Sequence, residues 1–89
     1  MKDALEQDLV LGNTYGFATC ERGINDVVMG VLTGIGASRV SLGNVKRFCY
    51  FGNKRSGGSL RDSKTTSVYS FRLFPIPREV YEAADPGER

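Results

Sequence analysis

The chain has 89 residues, a formal net charge of +2 at pH 7 and no histidine. Its length indicates one domain, near the size at which folding buries only about 60–65% of the unfolded chain's surface. Without histidine, and with Cys20 and Cys49 far apart in the sequence, the chain lacks the usual general base and a metal-ligand cluster. We therefore predict a non-enzyme with no cofactor and no metal.

Charge is sorted by position along the chain. The window from Arg39 to Arg72 holds eight basic residues and one acid, a balance of 8 − 1 = +7, whereas the remaining residues hold four basic and nine acidic ones, 4 − 9 = −5. A basic region of this kind predicts an anionic partner such as nucleic acid or an acidic peptide.

The N-terminal half predicts a short entering segment followed by strands. Residues 1–11 suit an arm or a short helix, because Leu5 and Leu9 share one helical face. Asn13–Cys20 alternates as a half-buried strand does, and Asn25–Thr33 is apolar on both faces. Gly30 within that second strand predicts a sharp bend of the sheet.

The C-terminal half continues in the same way. Short strands are predicted at Arg39–Leu42, Val45–Phe51 and Ser67–Phe74, and a last one at Arg78–Glu82. Residues 52–66 are polar, glycine-bearing and basic, which predicts a long mobile loop. Residues 84–89 are predicted to form a flexible tail. No apolar run approaches the roughly 18 residues of a membrane span, so the sequence predicts a soluble protein.

The order and spacing of five segments resemble the Sm-like (LSm) domains. Val28–Ile35 and Arg39–Val45 are similar to the first Sm signature, in which a glycine and an aliphatic-Leu pair precede a turn and a Val-x-Leu strand. Val45–Phe48 before a long polar loop, then Val68–Phe74 and Arg78–Val80, are similar to the Trailer Hitch and enhancer-of-decapping class. The resemblance covers residues 12–83 and implies a small, five-stranded, strongly bent antiparallel barrel.

Two departures bear on function. Ring-forming Sm proteins read uridine with an Asp and an Asn in the turn after the bent strand and with an Arg-Gly pair after the fourth strand. Here that turn holds Gly36–Ser38, and Phe74 is followed by Pro75-Ile76-Pro77. The resemblance therefore implies a monomeric adaptor of cytoplasmic messenger ribonucleoprotein granules. It would bind short helical peptide motifs of mRNA decapping and translational-repression factors, with weak RNA binding in addition.

The candidate binding residues combine positive charge with aromatic rings, which suits phosphate contacts and base stacking or, equally, a peptide groove. They are Arg39, Lys46, Arg47, Phe48, Tyr50, Lys54, Arg55, Arg61, Lys64, Tyr69 and Phe71.

Two other folds stay open at this point, and both would make the protein a direct binder of nucleic acid. Tyr15–Thr19 looks like the first motif of cold-shock domains, which are OB-fold proteins that bind single strands. Gly36–Leu42 can alternatively be interpreted as a turn into the recognition helix of a winged helix, with the basic loop as its wing.

Overall fold

One antiparallel sheet organises the molecule. The computed structural model describes residues 1–21, 24–51, 54–61 and 66–84. In chain order the elements are β1 (Thr14–Glu21), β2 (Ile24–Ile35), β3 (Arg39–Phe51), β4 (Lys54–Arg61), β5 (Thr66–Tyr69), a 3-10 helix (Ser70–Arg72), β6 (Phe74–Pro75) and α1 (Arg78–Ala83). The strand order is β4-β3-β2-β1-β6, and β5 pairs with the same edge of β3 as β4 does. The prediction of a mainly β, antiparallel fold is confirmed.

The β2–β3 pair is irregular where the sequence places Gly30. The pairing register shifts between Met29 and Val31. A Cβ atom at Gly30 would lie 2.9 Å from the carbonyl oxygen of Gly43 and 3.0 Å from the Cβ of Leu42. Only a residue without a side chain lets the two backbones approach this closely.

The two faces of the sheet carry separate apolar clusters. One face buries a main core against the turn into β6, because alternate residues of each strand point to the same side. Its members are Tyr15, Val28, Leu32, Val40, Leu42, Val45, Val68 and Leu73. On the opposite face, Tyr81 of α1 packs on Met29 and Phe48 to form a smaller second cluster. The helix therefore covers only part of that second face.

The predicted barrel and the predicted N-terminal helix are both wrong. The sheet is not closed, since among the described strands neither β4 nor β5 pairs with β6 or β1. Residues 1–11 form turns with an isolated bridge between Lys2 and Asp8 instead of a helix. The cause is local: the buried carboxylate of Asp3 accepts hydrogen bonds from the backbone N–H groups of Leu5 and Gln7, which competes with helical hydrogen bonding.

The structure also corrects the expectations for the C-terminal half. Within the predicted loop 52–66, Lys54–Arg61 forms β4, because the long β3 offers a free edge and ladder pairing overrides weak local preference. Residues 52–53 and 62–65 of that loop, and 85–89 of the predicted tail, lie outside the described residues. The predicted strand Ser67–Phe74 is divided into β5 and β6 by the 3-10 helix.

Residues Arg78–Glu82, predicted as a strand, begin α1. Pro77 precedes the first helical residue, and its carbonyl accepts hydrogen bonds from the N–H groups of Val80 and Tyr81. Burial of Tyr81 against the sheet stabilises this single turn and a half, which would be marginal alone. Across the described ranges, no helix has the length and apolar character needed to cross a membrane.

Candidate functional site

Three of the predicted binding residues form one exposed group, here called the aromatic-basic cluster: Arg39, Tyr69 and Phe71. Arg39 and Tyr69 are direct partners across β3 and β5. The Arg39 guanidinium carbon lies 4.4 Å from the centroid of the Tyr69 ring. The Tyr69 and Phe71 rings are stacked, with centroids 5.5 Å apart and planes 13° from parallel.

This cluster is open to solvent. Tyr69 exposes 41% of its surface and Phe71 66%, although both are large aromatic residues. Stacked rings beside a guanidinium provide flat apolar surfaces with an adjacent positive charge. Such an arrangement can stack against a planar group that carries negative charge nearby, as a nucleotide does.

Three other predicted residues, Lys46, Phe48 and Tyr50, contribute to the second cluster instead. Phe48 is buried there, and Tyr50 packs against it at the margin. The Lys46 ammonium donates hydrogen bonds to the carbonyl oxygens of Tyr81 (2.6 Å) and Ala84 (3.1 Å), and it lies 4.5 Å from the Tyr81 ring centroid. Lys46 therefore satisfies the C-terminal carbonyls of α1.

Arg47 is engaged in an ion pair. Its guanidinium donates to the Asp26 carboxylate at 3.0 Å, and both side chains are partly buried. Lys54, Arg55 and Arg61 lie on β4, whose register places Arg61 opposite Val45 of β3. Lys64 lies outside the described residues. The predicted basic residues that the structure describes thus lie along β3 and β4, and Arg39 is the one of Arg39, Lys46 and Arg47 that meets exposed rings.

An apolar groove that the sequence analysis missed lies beside β1 on the face of the second cluster. Its volume is about 230 Å³ and its lining is almost entirely apolar: Gly16, Phe17, Ala18, Val27, Met29, Phe74 and Ile76. Phe74 exposes 50% of its surface and Val27 37%. The signal that could have found the groove is the pair of small residues, Gly16 and Ala18, at alternate positions of one strand.

Arg72 lies beside β1 on the face opposite the groove. Its guanidinium carbon lies 5.6 Å from the centroid of the Phe17 ring, and its Nη2 donates a hydrogen bond of 3.0 Å to the carbonyl oxygen of Ala18. The Arg72 side chain is exposed, so β1 has an apolar groove on one face and an accessible cation beside the other. No group of three cysteine or carboxylate side chains suited to a metal ion occurs among the residues that the structure describes.

The fold and these two surfaces define a small, mainly β protein with one apolar groove and one exposed aromatic-basic cluster. Comparison with known proteins finds no matching family model, no matching curated protein and no matching solved structure.

Proposed function

We propose that the protein is a non-catalytic, Sm-like adaptor of cytoplasmic messenger ribonucleoprotein granules. In this proposal it is a monomer that binds short helical peptide motifs of mRNA decapping and translational-repression factors. The resemblance of the ordered segments between residues 12 and 83 supports the family, as does the irregular β2–β3 pair at Gly30. The observation that carries peptide binding is the apolar groove beside β1.

The groove suits the apolar face of a short helix. A helix presents residues at i and i+4 on one side, so two leucines one turn apart can enter a shallow apolar depression together. Gly16 and Ala18 contribute little side-chain volume to the groove, and Phe74 and Ile76 line it beside them. Burying each leucine contributes roughly 1.5–3 kcal/mol, which is enough for a weak, reversible adaptor contact.

A synthetic leucine-bearing peptide tests this function. A helix of about 15 residues, the length at which isolated helices become stable, would carry leucine at every fourth position and a fluorophore for anisotropy measurements. Ala18→Glu places a carboxylate on the groove floor and should weaken binding by about tenfold or more, because the charge would be buried beneath the peptide. Ala37→Glu, in the exposed connection between β2 and β3, is the matched control. Equal affinity of both variants would remove the groove from the proposal.

A second candidate function, direct binding of single-stranded RNA or DNA, is favoured by the aromatic-basic cluster. Two exposed, parallel rings beside Arg39 can stack with bases, each contact contributing about 1–3 kcal/mol. Tyr69→Ala combined with Phe71→Ala should weaken binding of a fluorescent single-stranded RNA by at least about tenfold. Phe74→Ala removes a groove ring whose exposure lies between those of Tyr69 and Phe71, and it should leave RNA binding unchanged. Tight, steeply salt-dependent RNA binding without peptide binding would make this second function the primary one.

A further inference from the structure

Beside the groove, the outer edge of β1 is paired for only part of its length. β1 pairs with β2 along its whole length, from Thr14 to Glu21. On its other side, only Tyr15 and Gly16 pair with β6. In the described part of the chain no strand continues this pairing beyond Gly16, because the chain preceding β6 turns away as the 3-10 helix.

The backbone groups on this edge can be assigned by their alternation. In an antiparallel sheet, successive residues direct their N–H and C=O groups to opposite neighbours. The carbonyl of Thr14 accepts from the N–H of Ile76, and the carbonyl of Ala18 accepts from Arg72, so even-numbered residues face outward from β2. The N–H of Ala18 and both backbone groups of Cys20 therefore point to the open edge.

The two faces beside this edge differ in chemistry. Ala18 lies on the face of the apolar groove, together with Val27 and Phe74. Phe17 lies on the other face, and the exposed guanidinium of Arg72 is positioned over its ring. A strand added next to β1 would thus direct alternate side chains toward an apolar surface and toward a cation.

Arg72 also explains how the edge can be both protected and available. Its guanidinium donates a hydrogen bond to the outward carbonyl of Ala18. Side-chain coverage of this kind shields an edge strand from unwanted pairing. A main-chain N–H from an incoming strand can replace that donor, which releases Arg72 to pair with a carboxylate.

We propose that the open edge of β1 at Ala18–Cys20 binds an extended peptide segment carrying an acidic side chain opposite Arg72, by β-strand addition. The inference rests on the proposed adaptor function: the extended segment directly flanks the helical motif that the groove holds. It adds a second recognition element to the partner, namely main-chain hydrogen bonding with one charge pair.

Two synthetic peptides test the proposal on the 89-residue protein. One is the leucine-bearing helix described above, and the other is the same helix followed by an extended flank of alternating valine and glutamate. The flank should raise affinity roughly tenfold through added hydrogen bonds and the contact with Arg72. Cys20→Pro removes the outward N–H and should abolish the gain, whereas Cys20→Ser keeps that N–H and should retain it. Arg72→Glu should also abolish the gain in affinity from the glutamate flank. With a flank in which lysine replaces glutamate, the same variant should show the gain again.

Hydrogen exchange of the unmodified protein gives a readout that does not depend on a folded proline variant. The amides of Ala18 and Cys20 should exchange more slowly with the flanked peptide than with the helix alone. If the leucine-bearing helix binds but the flank adds no affinity, or no protection of these amides, strand addition is overturned. The proposed adaptor function is then unaffected. Absence of binding by both peptides would contradict the adaptor function and the inference together.

Discussion

Lys46 has a structural role at the level of the single residue. Its ammonium donates to two carbonyls at the end of α1 and lies over the ring of Tyr81. Lys46→Met should lower the free energy of unfolding by about 1–3 kcal/mol, since it leaves partly buried carbonyl groups without a donor. Urea denaturation measures the loss, and Lys2→Met, which breaks an exposed ion pair with Asp8, should change stability little. Equal stability of both variants would mean that these contacts of Lys46 do not stabilise the fold.

Gly30 and Gly34 lie on the same strand and form a matched pair for testing the close approach of β2 and β3 at Gly30. Alanine at position 30 would bring its Cβ within 3.0 Å of Gly43 and Leu42 backbone and side-chain atoms, whereas at position 34 the nearest atoms, from Ser41, are 3.8 Å away. Gly30→Ala should therefore cost about 1–3 kcal/mol of unfolding free energy. Gly34→Ala should be neutral or slightly stabilising, because alanine reduces the entropy of the unfolded chain. Thermal or urea unfolding decides between these outcomes, and similar stabilities would mean that the backbones separate without cost.

At the scale of the element, α1 is attached to the sheet by Tyr81. Burial raises the pKa of the Tyr81 hydroxyl above its ordinary value of 10.0; nearby Arg78 partly opposes this shift and Glu82 adds to it. A raised folded-state pKa means that the contribution to stability is complete below pH 10 and is lost as pH rises through the higher folded value. The hydroxyl also donates a hydrogen bond to the carbonyl of Asn44.

Tyr81→Phe makes this pH dependence measurable. Below pH 9 the variant should be less stable than the original protein by about 1 kcal/mol, the usual contribution of one hydrogen bond. Above pH 10 the difference should shrink, because only the original protein must then ionise a buried phenol. A constant difference for Tyr81→Phe would mean that its phenol is accessible in the folded state.

Local patterns predicted some elements well and others poorly, for physical reasons. The alternation around Tyr15 and Phe17 found β1, since a strand with one buried face leaves a period of two. The strand β4 was predicted as a loop because its stability comes from pairing with β3, which no local pattern records. The helix α1 was predicted as a strand because a six-residue segment is too short to display helical periodicity.

At the scale of the whole molecule, the candidate site was only partly predictable. The sequence identified Arg39, Tyr69 and Phe71 as candidate binding residues. It did not show that they contact each other, because that contact depends on the pairing of β3 with β5, about 30 positions apart in sequence. Charge and aromaticity alone did not reveal that Lys46 and Phe48 contact Tyr81 of α1. The groove escaped prediction because Gly16 and Ala18 indicate a depression only once the residues that border it, such as Val27 and Phe74, are known.

The charge asymmetry of the whole chain leads to the last prediction. Deleting residues 54–64 would remove β4 from the sheet, so substitution tests the basic window better than deletion. Changing Lys54, Arg55, Arg61 and Lys64 to glutamine lowers the net charge from +2 to 2 − 4 = −2, and so does changing the four basic residues outside the window, Lys2, Arg22, Arg78 and Arg89. If the window contacts RNA, the first variant should lose affinity. The slope of log affinity against log salt concentration should become shallower by about 0.7 for each phosphate contact removed. The second variant has the same net charge and should retain most of the slope, because general electrostatic attraction is screened beyond about 10 Å at 0.1 M salt. Titration of a fluorescent single-stranded RNA at several salt concentrations measures both slopes, and equal slopes would mean that RNA responds to total charge rather than to the window.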